Sequence, residues 1–114
     1  MKTSELTGAA LDWAVDMALG NIRPDWGLYA GQQGRVKDYS TDWSHGGPVI
    51  EDENISICLL YGSIWGATTY RVHSIFTNES EAYYQGTGPT PLIAAMRCIA
   101  SKIGDEIELP EELT

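Results

Sequence analysis

The sequence predicts an α+β fold in which two long helices pack on a small antiparallel sheet, as a two-layer or αβα sandwich-like domain. Three observations indicate this fold. A helical pattern of apolar residues opens the chain, an alternating pattern typical of β-strands follows in the middle, and a capped helical pattern comes near the end. At 114 residues and with no internal repeat, the chain is expected to form a single domain over residues 1–114.

The first helix is predicted from Ser4 to about Leu19, with Gly20 as its stop signal. At about 100° per residue, one apolar stripe contains Leu6, Ala9, Ala10, Trp13 and Met17. A second stripe contains Leu11, Val15 and Ala18, and the clearly polar strip that remains contains Asp12 and Asp16. A helix this widely apolar is expected to pack on two sides, against its own sheet and against another element or a second subunit.

An irregular connection is expected at residues 21–39, which contain Pro24 and three glycines without a sustained period. Ser40 or Thr41 is then expected to cap a short turn, and Pro48 is expected to start a brief helix that ends near Glu53.

The middle of the chain predicts a β-hairpin. Residues 54–60 place Ile55, Ile57 and Leu59 on one face, residues 61–63 have turn composition, and residues 64–72 are rich in β-forming side chains, with an extension through Phe76 as the longer alternative. Residues 82–85 are expected to add a short edge strand, and residues 86–90 are expected to form a turn.

The second long helix has the clearest boundary signals in the chain. Thr90 is expected at the N-cap, Pro91 at the first helical position and Gly104 at the end, while Lys102 suits the negative C-terminal end of the helix dipole. Its apolar stripe contains Leu92, Ala95, Met96, Ile99 and Ile103. The alternation of Ile107 and Leu109 then favours a short strand within an acidic C-terminal tail at about residues 105–114.

The charge balance limits the classes of partner. Seven Lys and Arg residues against 16 Asp and Glu residues give a net charge of −9. The cations are scattered singly, so no basic stripe is available to contact phosphates, and direct nucleic-acid binding is not expected. The same acidity argues against an anionic membrane surface, and no apolar run approaches the roughly 20 residues that span a bilayer.

The cysteines and the start of the chain predict a cytoplasmic location. No signal-peptide pattern precedes the first helix, and in a reducing cytosol Cys58 and Cys98 are expected to remain free thiols. No Cys or His residues recur at metal-ligand spacing, so neither a metal site nor a cofactor is predicted.

Three blocks of the chain are similar to a known family. KTSELTGAALDWAV at residues 2–15, YSTDWSHGGPVIE at residues 39–51, and GPTPLIAAMRC at residues 88–98 with GDE at residues 104–106 resemble the NinX-like family of bacteriophage and prophage proteins. The resemblance implies a phage accessory protein of uncharacterised function, and it supplies no catalytic residues. A looser similarity, through YSTD, WGA at residues 65–67 and the closing helix, is to small phage proteins with an αβα sandwich.

The densest polar cluster contains the binding candidates Tyr39, Ser40, Thr41, Asp42, Trp43 and His45. In a functional interpretation, Asp42 orients His45, and the glycine pair that follows lets backbone N–H groups approach a ligand. In a structural interpretation, the hydroxyl and carboxylate groups cap a helix, the glycines form a turn and Trp43 is a core anchor. The sequence contains no Gly-x-Ser-x-Gly elbow for a nucleophilic serine, and a metal site of Asp42, His45, Glu51 and His73 would have no specific spacing.

Arg97 is a further binding candidate. It lies on the face of the second helix opposite the Leu92 stripe, with the small residues Ala94 and Ser101 beside it. It is expected either to contact an anion or a partner's carboxylate, or to form an ordinary surface ion pair.

These observations favour a non-enzymatic module that binds a host or phage protein, with a homodimer formed through the outer stripe of the first helix or the small-residue face of the second. The alternative is a small-molecule binder or small enzyme with a nucleotide or anion pocket around residues 39–47. A third hypothesis is an acidic DNA mimic, which requires a row of carboxylates that the evenly distributed acids do not provide.

Overall fold

The computed structural model describes residues 2–20, 37–69, 72–74, 79–80 and 84–109. The helices are α1 (Gly8–Ala18), α2 (Trp43–Asp52) and α3 (Pro91–Ala100), with 3₁₀ turns at Thr3–Glu5 and Ser101–Ile103. The strands are β1 (Ser56–Tyr61), β2 (Ile64–Thr69), β3 (Val72–Ser74), β4 (Glu79–Ser80) and β5 (Tyr84–Gly88). The expected connection at residues 21–36, strand residues 70–71, 75–76 and 82–83, and the C-terminal residues 110–114 lie outside this description.

The main sheet is antiparallel and has the strand order β1-β2-β5, so that β2 is central. A turn at residues 62–63 joins β1 to β2, which confirms the predicted hairpin. β2 ends at Thr69 rather than at residue 72 or beyond, and the residues from Val72 form β3, which pairs with β4 in a separate two-stranded sheet. β5 is an edge strand of the main sheet, but it includes residues 86–88, for which a turn was expected.

β5 contains two glycines because it lies directly against α3. A Cβ atom on Gly86 would come within 2.4 Å of the Cys98 backbone nitrogen and 2.7 Å of the Ala94 carbonyl oxygen. A Cβ atom on Gly88 would come within 3.1 Å of the Ala94 nitrogen. The expectation of a turn is therefore wrong for a physical reason: these glycines permit close contact between the backbones of a strand and a helix.

α3 is the central helix of the fold, because the sheet covers one side of it and α1 packs on another. Its buried residues are Leu92, Ala94, Ala95, Met96, Cys98, Ile99 and Ala100. Apolar contact therefore surrounds the helix instead of following a single stripe. The predicted start is confirmed, since the Thr90 hydroxyl oxygen accepts a hydrogen bond from the Ile93 N–H at 3.1 Å and Pro91 occupies the first turn.

The α+β class is confirmed, but the description as two long helices is not. Three helices of 10 or 11 residues are present in the described part of the chain. None of these helices is long and apolar enough to cross a membrane.

The first helix begins later than predicted. Thr3–Glu5 forms a 3₁₀ turn, Leu6 and Thr7 have extended backbones, and α1 starts at Gly8 rather than at Ser4. The extended backbone directs Leu6 into the core, where it is fully buried, and a helix continued through this position would lose that contact.

The N-terminal segment pairs with the residues that follow α3. The Thr3 hydroxyl donates to the Gly104 carbonyl oxygen at 2.8 Å, and the Thr3 N–H donates to the Asp105 carbonyl oxygen at 2.9 Å. Lys2 and Glu106 form an isolated antiparallel bridge. The short strand favoured at residues 105–109 is thus reduced to one bridge position, and Ile107 beside it is buried.

The two aspartates of α1 are buried, although the periodicity predicts a polar strip at the surface. Asp12 and Asp16 are only 5% and 3% exposed, while Ala9 is exposed and Met17 half-buried. Buried carboxylates require hydrogen-bond partners, and these come from the segment that precedes α2.

α2 also begins earlier than predicted. The Asp42 carboxylate accepts a hydrogen bond from the Ser44 N–H at 2.9 Å and caps the helix, so Asp42, rather than Ser40 or Thr41, is the cap, and Pro48 lies inside the helix rather than at its start. The predicted end near residue 53 is confirmed. Asn54 there adopts a left-handed conformation with φ of 54°.

Candidate functional site

The segment of residues 39–40 is attached to α1 by two buried hydrogen bonds. The Tyr39 hydroxyl donates to Asp16 Oδ1 at 2.6 Å, and the Ser40 N–H donates to Asp12 Oδ1 at 2.8 Å. The spacing of four residues places both carboxylates on one face of α1, where two consecutive residues of the loop can reach them. Tyr39 and Ser40 are themselves 4% and 3% exposed.

The electrostatic environment of Asp12 reflects this burial. Loss of solvent raises the pKa of the Asp12 carboxyl, hydrogen bonds from Ser40 oppose that rise, and the carboxylates of Asp38 and Asp16 add to it. Two acids on one face of α1 thus accept hydrogen bonds from a tyrosine and a serine, which attach the loop to the helix. We refer to Asp12, Asp16, Tyr39 and Ser40 as the α1 latch.

Asp42 and His45 have separate hydrogen-bond partners. Both the N–H and the hydroxyl of Ser44 donate to Asp42 Oδ1, and these bonds lower the pKa of the Asp42 carboxyl. His45 Nδ1 accepts a hydrogen bond from the Asp38 N–H at 3.1 Å. This geometry supports a helix cap and a loop contact as the roles of these two residues.

The glycine pair in α2 has two different environments. A Cβ atom on Gly46 would lie 2.4 Å from the Tyr39 carbonyl oxygen and 2.6 Å from Leu92 Cδ1, whereas one on Gly47 would meet nothing within 4 Å. The first glycine therefore allows α2 to pack against the loop and α3. Helix packing, not the approach of a ligand to the backbone, accounts for it.

Thr41 and Trp43, like Asp42 between them, are exposed members of the predicted cluster. The Trp43 side chain is 55% exposed, so its assignment as a core anchor is wrong. Together with Pro91 and Ile93 at the start of α3, Thr41 and Trp43 line an open cavity of about 270 Å³. The Tyr39 ring belongs to the core instead. The structure therefore does not bring the three aromatic candidates Tyr39, Trp43 and His45 together in one pocket.

Arg97 joins the N-terminal segment to the sheet. Its Nε donates to the Leu6 carbonyl oxygen at 3.0 Å and its Nη1 to the Thr87 carbonyl oxygen at 2.9 Å. Burial lowers the pKa of the guanidinium, and the negative charge of Glu5 opposes that shift. Two nitrogens of the guanidinium thus donate to neutral backbone carbonyl groups. Ala94, on the small-residue face beside it, is fully buried.

Apart from Trp43, the large exposed apolar side chains among the described residues lie at the end of the β1–β2 hairpin. Leu59, Leu60 and Tyr61 are 52%, 48% and 71% exposed. We call these three residues the hairpin patch. The sequence pattern does not reveal the hairpin patch, because Leu59 lies on the same face as the buried Ile55 and is therefore expected in the core. Three consecutive large apolar residues, however, cannot all point to one side of a sheet.

Metal-ligating side chains are dispersed in the described residues: no three of the His, Cys, Asp and Glu residues there lie close enough together to hold an ion. The His73 side chain of the weighed metal set lies outside the description.

The comparison with protein families supports the resemblance seen in the sequence. The family model described as Bacteriophage P22, NinX matches residues 2–102. The chain belongs to this NinX family. The NinX match contains α1, the latch segment, the main sheet and α3. No curated protein matches the chain.

Proposed function

We propose that this NinX-family chain is a non-enzymatic phage or prophage accessory protein that binds another protein through the hairpin patch, in the cytoplasm of the host cell. The observation that carries the proposal is the exposure of Leu59, Leu60 and Tyr61 in succession at the end of a hairpin. Single exposed apolar residues are ordinary on protein surfaces, but contiguous exposed apolar side chains are characteristic of interaction sites.

The polar candidates support a binding module more than an enzyme. Tyr39, Ser40 and Asp42 use hydrogen bonds to hold α1 and α2, and Arg97 uses them to hold the N-terminal segment. These hydrogen bonds within the fold favour structural roles for the four residues.

The test is affinity capture from phage-infected host cells, followed by mass spectrometry. A double variant, Leu60→Ser with Tyr61→Ser, removes most of the hairpin patch and leaves β2 and β5 unaltered. We expect it to lose the partner captured by the wild-type chain. The matched control is Trp43→Ser, which removes another exposed apolar side chain at a different surface.

Far-UV circular dichroism and a thermal melt check that each variant is folded. A folded double variant that captures the same proteins as the wild type would refute the hairpin patch as the binding surface.

The cavity beside Trp43 favours a second candidate function, the binding of a small molecule such as a nucleotide or an anion. An exposed indole next to an open cavity can stack on a base, and the N-terminal ends of α2 and α3 meet there. Titration of the wild type and of Trp43→Phe with nucleoside triphosphates and with inorganic phosphate tests it through tryptophan fluorescence. A saturable change that disappears in the variant supports the site, and the absence of a saturable change in the wild type refutes it.

A further inference from the structure

We propose that β1 pairs in antiparallel fashion with β1 of a second copy of this chain, joining the two main sheets into one continuous six-stranded sheet. The proposal rests on the proposed function, since it names the partner of the same hairpin surface. It also places the homodimer contact on the sheet rather than on the two helix faces that the sequence suggests.

The two edges of the main sheet are in different surroundings. Beside β5, Gln85 and Arg97 share a cleft with Lys2 and Ser4, and Arg97 donates to the Thr87 carbonyl oxygen. β1 is the other edge, and its only strand neighbour within the described residues is β2. An edge strand presents a row of backbone donors and acceptors that another strand can bind.

The composition of β1 is typical of a strand whose edge is covered by another part of a protein. Monomeric proteins protect exposed edges with charged side chains, prolines or bulges that bend the strand away. Ser56–Tyr61 contains neither a charge nor a proline, and its one register shift lies between Leu59 and Tyr61, next to the turn. The surface also exposes three large apolar side chains in succession.

Charge indicates a second copy as the occupant. Residues 54–69 contain no Asp, Glu, Lys or Arg, in a chain whose net charge is −9. Two copies repel each other through most of their surfaces, and this hairpin allows them to approach without placing acids together. A basic partner would gain more by binding the acidic surfaces elsewhere.

The antiparallel arrangement also separates the acids that precede β1. Residues 51–53 are all acidic, and Glu53 forms an ion pair with Lys102. When two copies of β1 run in opposite directions, the acidic residues 51–53 of one copy lie towards the turn end of the other, where residues 62–63 are uncharged. Parallel pairing would instead bring the two acidic segments together.

Symmetry restricts the register. A two-fold axis between antiparallel strands is perpendicular to the sheet, so one residue must lie opposite its own copy. With Leu59 on the axis, Ile57 lies opposite Tyr61 and Cys58 opposite Leu60, which pairs apolar side chains, and the register shift between Leu59 and Tyr61 lies next to the axis in both copies. We therefore place Leu59 at the axis.

The first test is the mass in solution, measured by light scattering during gel filtration over a range of protein concentrations. A contact between two short strands is expected to bury less than the roughly 1,200 Å² of a standard stable interface, so the association is expected to reverse on dilution. At high concentration the mass is expected to reach twice the 12.5 kDa of one chain. Leu59→Lys is expected to give the monomer mass at the same concentration.

The matched control is Gln85→Lys, which places the same charge on the exposed edge strand β5 and is expected to leave the dimer intact. Circular dichroism verifies that both variants are folded. A wild type that is monomeric at every concentration, or a folded Leu59→Lys variant that remains dimeric, would overturn the proposal.

A second test probes the axis directly by cross-linking the Leu59→Cys, Cys58→Ala double variant with an oxidant. A disulfide-linked dimer is expected, because two cysteines opposite each other across an antiparallel pair are close enough to bond. Cys98 does not compete: it is buried, and burial raises the pKa of its thiol to about 11. Absence of the cross-link in a dimeric protein would overturn this register.

The two proposals can fail separately. A monomeric wild type that still captures a host or phage protein through the hairpin patch would refute self-pairing and leave the proposed function standing. A dimer that dissociates with Leu59→Lys, but whose patch captures no other protein, would support self-pairing and refute a role in binding other partners.

Discussion

The two adjacent glycines of α2 allow a controlled test of how this helix packs. Gly46→Ala and Gly47→Ala introduce the same methyl group into the same helix, one residue apart. Each substitution gains about 0.5–1 kcal/mol from the lower flexibility of alanine in a helix interior. At Gly47 part of that gain is offset, because the ring of Pro48 disfavours a helical conformation for a preceding residue that has a Cβ.

The structure predicts a large difference. At Gly46 the new Cβ would be 2.4 Å from the Tyr39 carbonyl oxygen, so an ordinary contact of 3.4 Å requires a shift of 3.4 − 2.4 = 1.0 Å. A backbone oxygen cannot rotate away as a flexible side chain can, and Leu92 blocks the other direction. Overpacking costs about 1–3 kcal/mol, and this geometry favours the upper half of that range.

Guanidinium denaturation of the two variants and the wild type measures the free energies of unfolding. Gly47→Ala is expected to stay within about 1 kcal/mol of the wild type, because the propensity gain and the Pro48 penalty oppose each other, and Gly46→Ala is expected to be less stable than the wild type by about 1–2 kcal/mol. In a domain of this size each kcal/mol corresponds to roughly 4 °C in Tm. A Gly46→Ala variant as stable as the wild type would refute the close packing of α2 on the latch segment.

Three further predictions concern single polar groups. Tyr39→Phe removes the hydroxyl that donates to Asp16 at 2.6 Å, and its free energy of unfolding is expected to fall by about 1–3 kcal/mol; an unchanged value would contradict the α1 latch. Burial raises the pKa of Asp12 above its ordinary 3.8, so the stability from this group is present below pH 3.8 and lost as the pH rises through the folded pKa. Thermal melts at a series of pH values are therefore expected to show a smaller loss towards neutral pH for Asp12→Asn than for the wild type, and parallel curves would exclude this effect. Thr90→Ala is expected to cost about 1 kcal/mol by removing the acceptor for the Ile93 N–H, whereas Thr90→Ser keeps it, so equal stability of the two proteins would contradict the cap.

Local signals in the sequence were sufficient for some elements. The cap and first-turn proline of α3 act within four residues of each other, and the β1–β2 turn is set by neighbouring residues, so both could be predicted from composition and spacing. The end of α2 near residue 53 is of the same kind. Each of these features depends on interactions between residues that are close together in the sequence.

Features that depend on distant residues could not be predicted in this way. The periodicity of α1 marks Asp12 and Asp16 as polar, and only the fold shows that the loop 23 to 28 residues later supplies their hydrogen bonds. Gly86 was expected in a turn because its role, contact with the backbone of α3, involves a helix that follows it in the sequence.

The candidate site shows the same division. The cluster at residues 39–45 is conspicuous because it is polar, but its polarity is used in the cap and the α1 latch. The hairpin patch is less conspicuous, because apolar residues in a strand are expected to be buried. The sequence signal that marks the hairpin patch is the absence of charge over residues 54–69, which distinguishes this hairpin from the rest of an acidic chain.

The pairing of the N-terminal turn with residues 104–106 has a consequence for any shortened form of the chain. The segment by which the family is recognised stops at residue 102, yet the Thr3 hydroxyl and N–H bind carbonyl oxygens of residues 104 and 105. A protein shortened to that boundary would lose both acceptors and the buried Ile107, and its N-terminal segment would keep the contacts with α3, among them the hydrogen bond from Arg97 to Leu6. The contacts that hold the N-terminal turn in place therefore extend beyond the matched segment.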